Sequence, residues 1–116
     1  MNREIRKDAK KRYGDMLKEF SERKVHKGEM NCYTCSKCGR LTKTIDRDSG
    51  ITPMGIECPF CGENAMGSAY IDLKPDEKPT FEWYRPTFEE TLNLIDKHYF
   101  TYRYVLGGGL LRREIK

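Results

Sequence analysis

Apolar residues recur at three- and four-residue steps near the start of the chain, at Ile5, Ala9, Tyr13, Met16, Leu17 and Phe20. That spacing predicts a helix over residues 2 to about 25, with these side chains on one inward face. The intervening positions are mostly Lys, Arg, Glu and Asp, as on a solvated outer face. Gly14 interrupts the run and weakens the helix by about 1 kcal/mol relative to Ala. His26–Asn31 reads as a connector, with Gly28 ending the helix. Leu41–Ile45 then alternates as a strand does. Asp46-Arg47-Asp48-Ser49-Gly50 is turn chemistry, and Ile51–Glu57 should return as the partner strand, with Pro53 pushing its start to an edge or a bulge. Gly67–Leu73 supplies a third strand, and Lys74–Pro79 is a polar, Pro-containing linker. Phe81–Pro86 is the most aromatic stretch. Thr87 and Glu90 have capping-box spacing, so a helix should follow to about Tyr99, with Phe88, Leu92, Ile95 and Tyr99 inward. Tyr102, Tyr104, Val105 and Leu106 either extend it or start a strand. Gly107-Gly108-Gly109 must break it, and Leu110–Ile115 reads as a final short strand or an ordered tail.

The pattern predicts an α+β fold, a three-stranded antiparallel sheet flanked by an N-terminal and a C-terminal helix. At 116 residues the chain is most simply a single domain, 1–116. Within it, 1–30 is a basic helix and connector, 31–73 holds the strands, and 74–116 is linker, helix and Gly-rich tail. Hydrophobic residues are 37% and charged residues 34%, so the core must be modest and in want of a staple. No run of about eighteen apolar residues occurs, and no membrane span is expected. Met1–Lys7 is too charged to lead a signal peptide, which points to a cytoplasmic protein. The net charge of +4 is unevenly spread: residues 1–30 carry +4 and 99–116 carry +3, while 31–73 and 74–98 carry −1 and −2. If nucleic acid binds, the ends should make the contacts.

The most specific chemistry is a pair of Cys-x-x-Cys-Gly knuckles, Cys35-Ser36-Lys37-Cys38-Gly39 and Cys58-Pro59-Phe60-Cys61-Gly62. Four thiolates in two pairs match the tetrahedral ligand set of one structural Zn2+, with Cys35, Cys38, Cys58 and Cys61 as ligands. The Gly after each second Cys lets the backbone turn so that amides point back at sulfur. Cys32-Tyr33-Thr34-Cys35 is a competing Cys-x-x-Cys. The 35/38 register is favoured because Gly39 follows Cys38 as Gly62 follows Cys61, which leaves Cys32 as a spare thiol, a small, partly buried side chain or a redox group. His26 and His98 have no ligand-like spacing to the knuckles. Four thiolates close a metal site, so Glu57 and Glu63 have no bound water to activate, and an enzyme is not expected. Gly107-Gly108-Gly109 lacks the Lys-Ser/Thr of a phosphate-cradling loop, and no small-molecule substrate is expected.

The knuckles and the hairpin expected between them resemble the zinc-ribbon superfamily over residues 35 to about 73. Glu82-Trp83-Tyr84-Arg85-Pro86-Thr87 and the run Gly108 to Arg112 extend a resemblance to small zinc-ribbon proteins of phage and prophage origin. The superfamily implies modules of transcription, translation and replication proteins, or purely structural ones. One reading is therefore a non-enzymatic accessory protein that binds nucleic acid or a nucleic-acid-processing machine. Lys10, Lys11, Arg12, Arg40, Lys43, Arg47, Arg112 and Arg113 would carry the contacts, with Tyr33, Phe60, Trp83 and Tyr84 as stacking surfaces where exposed. The alternative is a structural or interaction protein in a larger, phage-like assembly, docking through Trp83, Tyr84 and Arg85 and the N-terminal helix. A third reading rests on Asp46 and Asp48 near the turn. They resemble the acidic hairpin tip of transcript-cleavage ribbons, although Arg47 separates the two acids.

Overall fold

The computed structural model describes residues 3–23, 27–68 and 78–115. The chain runs α1 (Arg3–Arg23), β1 (Met30–Cys35), β2 (Leu41–Asp46), β3 (Gly55–Glu57), β4 (Asn64–Ser68), β5 (Phe81–Tyr84), α2 (Phe88–Leu92), α3 (Leu94–Lys97), α4 (Tyr99–Leu106) and β6 (Leu111–Glu114). The six strands form one sheet in the order β3-β4-β1-β2-β5-β6.

This α+β architecture agrees with the expectation in kind and differs in construction. The sheet has six strands where three were expected, and the pairing differs. Ile51–Glu57 is not the partner of β2. Instead β1 pairs antiparallel with β2, β3 pairs antiparallel with β4, and β1 joins β4. Each Cys-x-x-Cys knuckle is therefore the turn of its own hairpin, because the knuckle itself reverses the chain. Part of the expected connector, Met30-Asn31, belongs to β1. Of the third strand expected at Gly67–Leu73, residues 69–73 lie outside the described residues, as do residues 74–77 of the linker and His26.

The aromatic stretch becomes β5, which lies parallel to β2 with Asp46 opposite Trp83, and β6 closes on it antiparallel. Alternation places Tyr33, Ile56, Ala65 and Trp83 on one face, where they form a buried cluster with Cys35, Cys58 and Leu110. The Trp83 indole N–H donates to Thr44 Oγ1 at 3.0 Å, so its one polar atom is satisfied inside.

α1 buries Ala9, Met16 and Phe20 as its periodicity requires, while Ile5 and Leu17 remain 47% and 37% exposed. It seats on the C-terminal helices. Ala9 packs with Leu92 and Tyr102, the Tyr13 ring lies 5.6 Å from that of Phe88, and the Tyr13 hydroxyl donates to the Pro86 carbonyl at 2.5 Å. The capping box at Thr87 and Glu90 is present, with both reciprocal hydrogen bonds. The single helix expected after it is three short ones, broken at Asn93 and at His98, whose φ of −142° is not helical. The break turns Tyr99 outward, 55% exposed, and brings Tyr102 and Val105 inward.

Candidate metal centre and charged surfaces

The two knuckles have the same local wiring. In each, the amide of the first Cys donates across the hairpin to the residue five places on, Cys35 to Arg40 at 3.1 Å and Cys58 to Glu63 at 2.7 Å. In each, the Gly amide returns to the carbonyl of the first Cys, at 2.9 Å in both. Gly39 and Gly62 take φ of +74° and +79°, a left-handed conformation that a side chain disfavours. The first Cys of each pair is buried and the second exposed, so the site sits at one end of the sheet with its outer half at the surface.

All four sulfurs lie within 4.8 Å of one another, with Cys35 to Cys61 at 3.5 Å and Cys38 to Cys58 at 3.7 Å. A tetrahedron of zinc–sulfur bonds near 2.3 Å has edges of about 3.8 Å, so the spacing suits a metal ion. The electrostatics point the same way. The Cys38 amide, helped by that of Lys37, holds the Cys35 thiol down at about 6. At Cys58 burial resists, but the Phe60 and Cys61 amides prevail and lower it. At Cys61 the Glu63 amide lowers, yet burial and the three neighbouring sulfurs outweigh it and push the thiol up to about 12. Four crowded sulfurs cannot all ionise unaided, and a cation in their midst removes that conflict. Cys32 stands apart from this cluster, buried on β1. Two contacts tie knuckle to knuckle at the surface. Lys37 meets Glu63 at 3.0 Å, and the Arg40 guanidinium lies 4.8 Å from the centre of the Phe60 ring, which is 55% exposed.

The eight cations expected to contact nucleic acid do not converge. Arg47 and Arg113 both bind the carboxylate of Glu82, at 2.6 and 2.9 Å, and these two hydrogen bonds lower its pKa. Arg113 also covers Tyr84, and Arg112 covers Phe81. Lys43 is half-buried on β2. Tyr33 and Trp83 are buried and offer no stacking surface; Phe60 does. Burial of Trp83 also removes it as a docking residue, and Arg85 is turned inward over the Phe20 ring, with hydrogen bonds to Ser49 and Asp48. Asp46 is fully buried and Asp48 accepts from the Arg85 amide, so the acidic-tip reading fails: neither acid is presented at a hairpin tip.

The charge pattern that sequence reading missed is on α1. At about 100° per residue, Arg3, Arg6, Lys7, Lys10, Lys11 and Lys18 fall in one sector of roughly 140° that holds no acid of the helix. Glu4, Asp8, Asp15, Glu19 and Glu22 fall in the neighbouring sector. The two arginines on that acidic flank, Arg12 and Arg23, pair with Asp8 and Glu19 at 3.0 and 3.1 Å. Arg12 thus separates from Lys10 and Lys11, its neighbours in sequence. Arg6 reaches Glu89 of α2 at 2.7 Å. Arg3, Lys7, Lys10, Lys11 and Lys18 are exposed, and among the described residues no ion pair engages them. Along the segment the acids dilute the sum of charge, whereas around the helix the two signs separate.

No helix among the described residues is long and apolar enough to cross a membrane. No family model matches the chain, and no characterised protein or solved structure was found similar to it.

Proposed function

We propose that this chain is a non-enzymatic module, stapled by one structural zinc ion, that binds nucleic acid through the basic face of α1. The donor set supports the metal assignment. Four thiolates are a ligand set of closed structural zinc sites, and they leave no open position for water or substrate. Cys35, Cys38, Cys58 and Cys61 would hold the ion, whose contribution is folding free energy. The zinc-ribbon resemblance of the two knuckles agrees with this.

One observation carries the binding assignment: the segregation of charge on α1, which leaves five exposed cations together without acids between them. Lysines in such a row suit phosphates, whose condensed counterions they displace. An exposed row of cations with no Asn, Gln or aromatic side chain in its sector of the helix suits phosphates more than base edges, so binding should follow the backbone and depend little on sequence. Arg40 over Phe60 supplies a second, smaller surface of the type that stacks on bases.

The test is fluorescence anisotropy of zinc-loaded protein with labelled single- and double-stranded DNA and RNA across a salt series. Micromolar binding at low salt, with a log–log salt slope of about −4.5 on duplex DNA for five cations, is the expected result. A flat salt response, or no binding at low salt, rejects the nucleic-acid reading and leaves a protein of a larger assembly. Zinc content near one per chain is expected by elemental analysis, and a metal-free protein with unchanged melting would overturn the staple.

A further inference from the structure

The acidic flank of α1 does not face open solvent. Glu4 and Asp8 form one wall of a hollow of about 520 Å³ between α1 and the pair α3–α4. Asp15 and Glu19 wall a second hollow of about 420 Å³ further along. The two share Arg12, Arg103 and Leu106, so they run together as one groove. From Glu4 to Glu19 it follows α1 for roughly 22 Å, about four helical turns. The first hollow has an apolar floor of Ile5, Ile95, Tyr99 and Leu106, where Ile5 and Tyr99 keep 47% and 55% of their surface in water, and Met16 and Leu106 continue it into the second. Phe100, 87% exposed, packs edge-on against Tyr99. Glu4, Asp8, Asp15 and Glu19 face Arg12 and Arg103 here, with Arg12 held by Asp8 and Arg23 of the same flank held by Glu19, so carboxylates exceed guanidiniums by one.

We propose that this groove binds a cationic amphipathic helix of a partner protein. Its length suits about four turns, its floor suits an apolar stripe at helical spacing, and its acidic wall suits Lys or Arg along the flank of that stripe. Nucleic acid is repelled by the same wall. A second copy of this chain fits poorly, because its basic stripe on α1 matches the wall but carries few apolar residues for the floor. The raised pKa of Tyr102, caused by burial and by the Asp8 charge, agrees with a desolvated, negative surrounding. The groove and the basic face lie on neighbouring sides of one helix, so α1 divides two ligands of opposite charge, and this inference stands apart from the nucleic-acid reading.

The test uses the zinc-loaded full chain and a labelled peptide of Leu and Lys, about 18 residues long, patterned as an amphipathic helix. A Leu/Glu peptide of the same pattern is its counterpart. Micromolar binding of the Leu/Lys peptide is expected, with the Leu/Glu peptide at least about tenfold weaker. Asp15→Lys with Glu19→Lys should weaken the Leu/Lys peptide by about tenfold or more, with the melting temperature lowered by about 5 °C at most through loss of the Arg23–Glu19 pair. Tyr99→Ala, at a half-exposed residue of the floor, should weaken it without touching the charges. Amide shifts on binding should map to α1 and α4 and spare the knuckles. Equal affinity for the two peptides, indifference to the charge reversal, a dimer in sedimentation that occludes the groove, or α4 amides that shift with duplex DNA and not with the Leu/Lys peptide would each overturn the proposal.

Discussion

Phe20 occupies the space where a side chain on residue 108 would stand. Gly108 has φ of +106°, and a Cβ there overlaps the Phe20 ring. A Cβ on Gly109 overlaps the Tyr104 ring, whereas one on Gly107 meets nothing closer than 3.5 Å. The three glycines, which sequence reading treated alike as a helix breaker, therefore have different tasks. Gly108→Ala is expected to cost about 3 kcal/mol, from left-handed strain plus overpacking, while Gly107→Ala stays within about 0.5 kcal/mol. Urea melts of the two zinc-loaded variants decide it, and equal costs would refute the assignment. Cysteine and its following glycine were readable in the sequence because a knuckle is a local object, closed within about five residues. The partners of Trp83 and Glu82 were not, since Thr44, Arg47 and Arg113 reach them only through strand pairing.

At the scale of elements, periodicity identified α1 almost to its ends and the capping box identified the start of α2. It failed where two signals competed. Met30–Cys35 reads as connector plus spare thiol because its cysteines read first as knuckle chemistry, yet it is a central strand paired on both sides. The parallel pairing of β2 with β5 has no local signature, because its geometry depends on strands far apart in the chain. α1 also shows that arrangement outranks amount. Exchanging Lys10→Glu with Glu19→Lys leaves the net charge unchanged and destroys the segregation. We expect nucleic-acid affinity to fall about tenfold and the salt slope to become shallower by one to two. Unaltered affinity would mean that net charge alone, and not this face, drives binding.

For the molecule as a whole, the metal end and the helical end share one sheet. Cys35, Cys58 and Trp83 belong to the same buried cluster, and β1 and β2 connect the knuckles to β5 and β6. Loss of the ion should therefore propagate. Chelation of the zinc-loaded protein is expected to shift Trp83 emission to the red and to lower the melting temperature by more than about 10 °C. A metal-free protein with unshifted emission would show that the sheet stands without its staple. Composition points the same way, since so charged a chain has little apolar surface to bury.

The strand order also sets a timetable. On the ribosome, β1 and β2 can close around their knuckle as soon as Asp46 has emerged, and β3 with β4 can follow. The far edge of β2 then waits, open, for β5, which must be delivered in parallel and cannot arrive before Tyr84 is made. During that interval the nascent chain presents the open outer edge of β2, a configuration prone to capture by another chain.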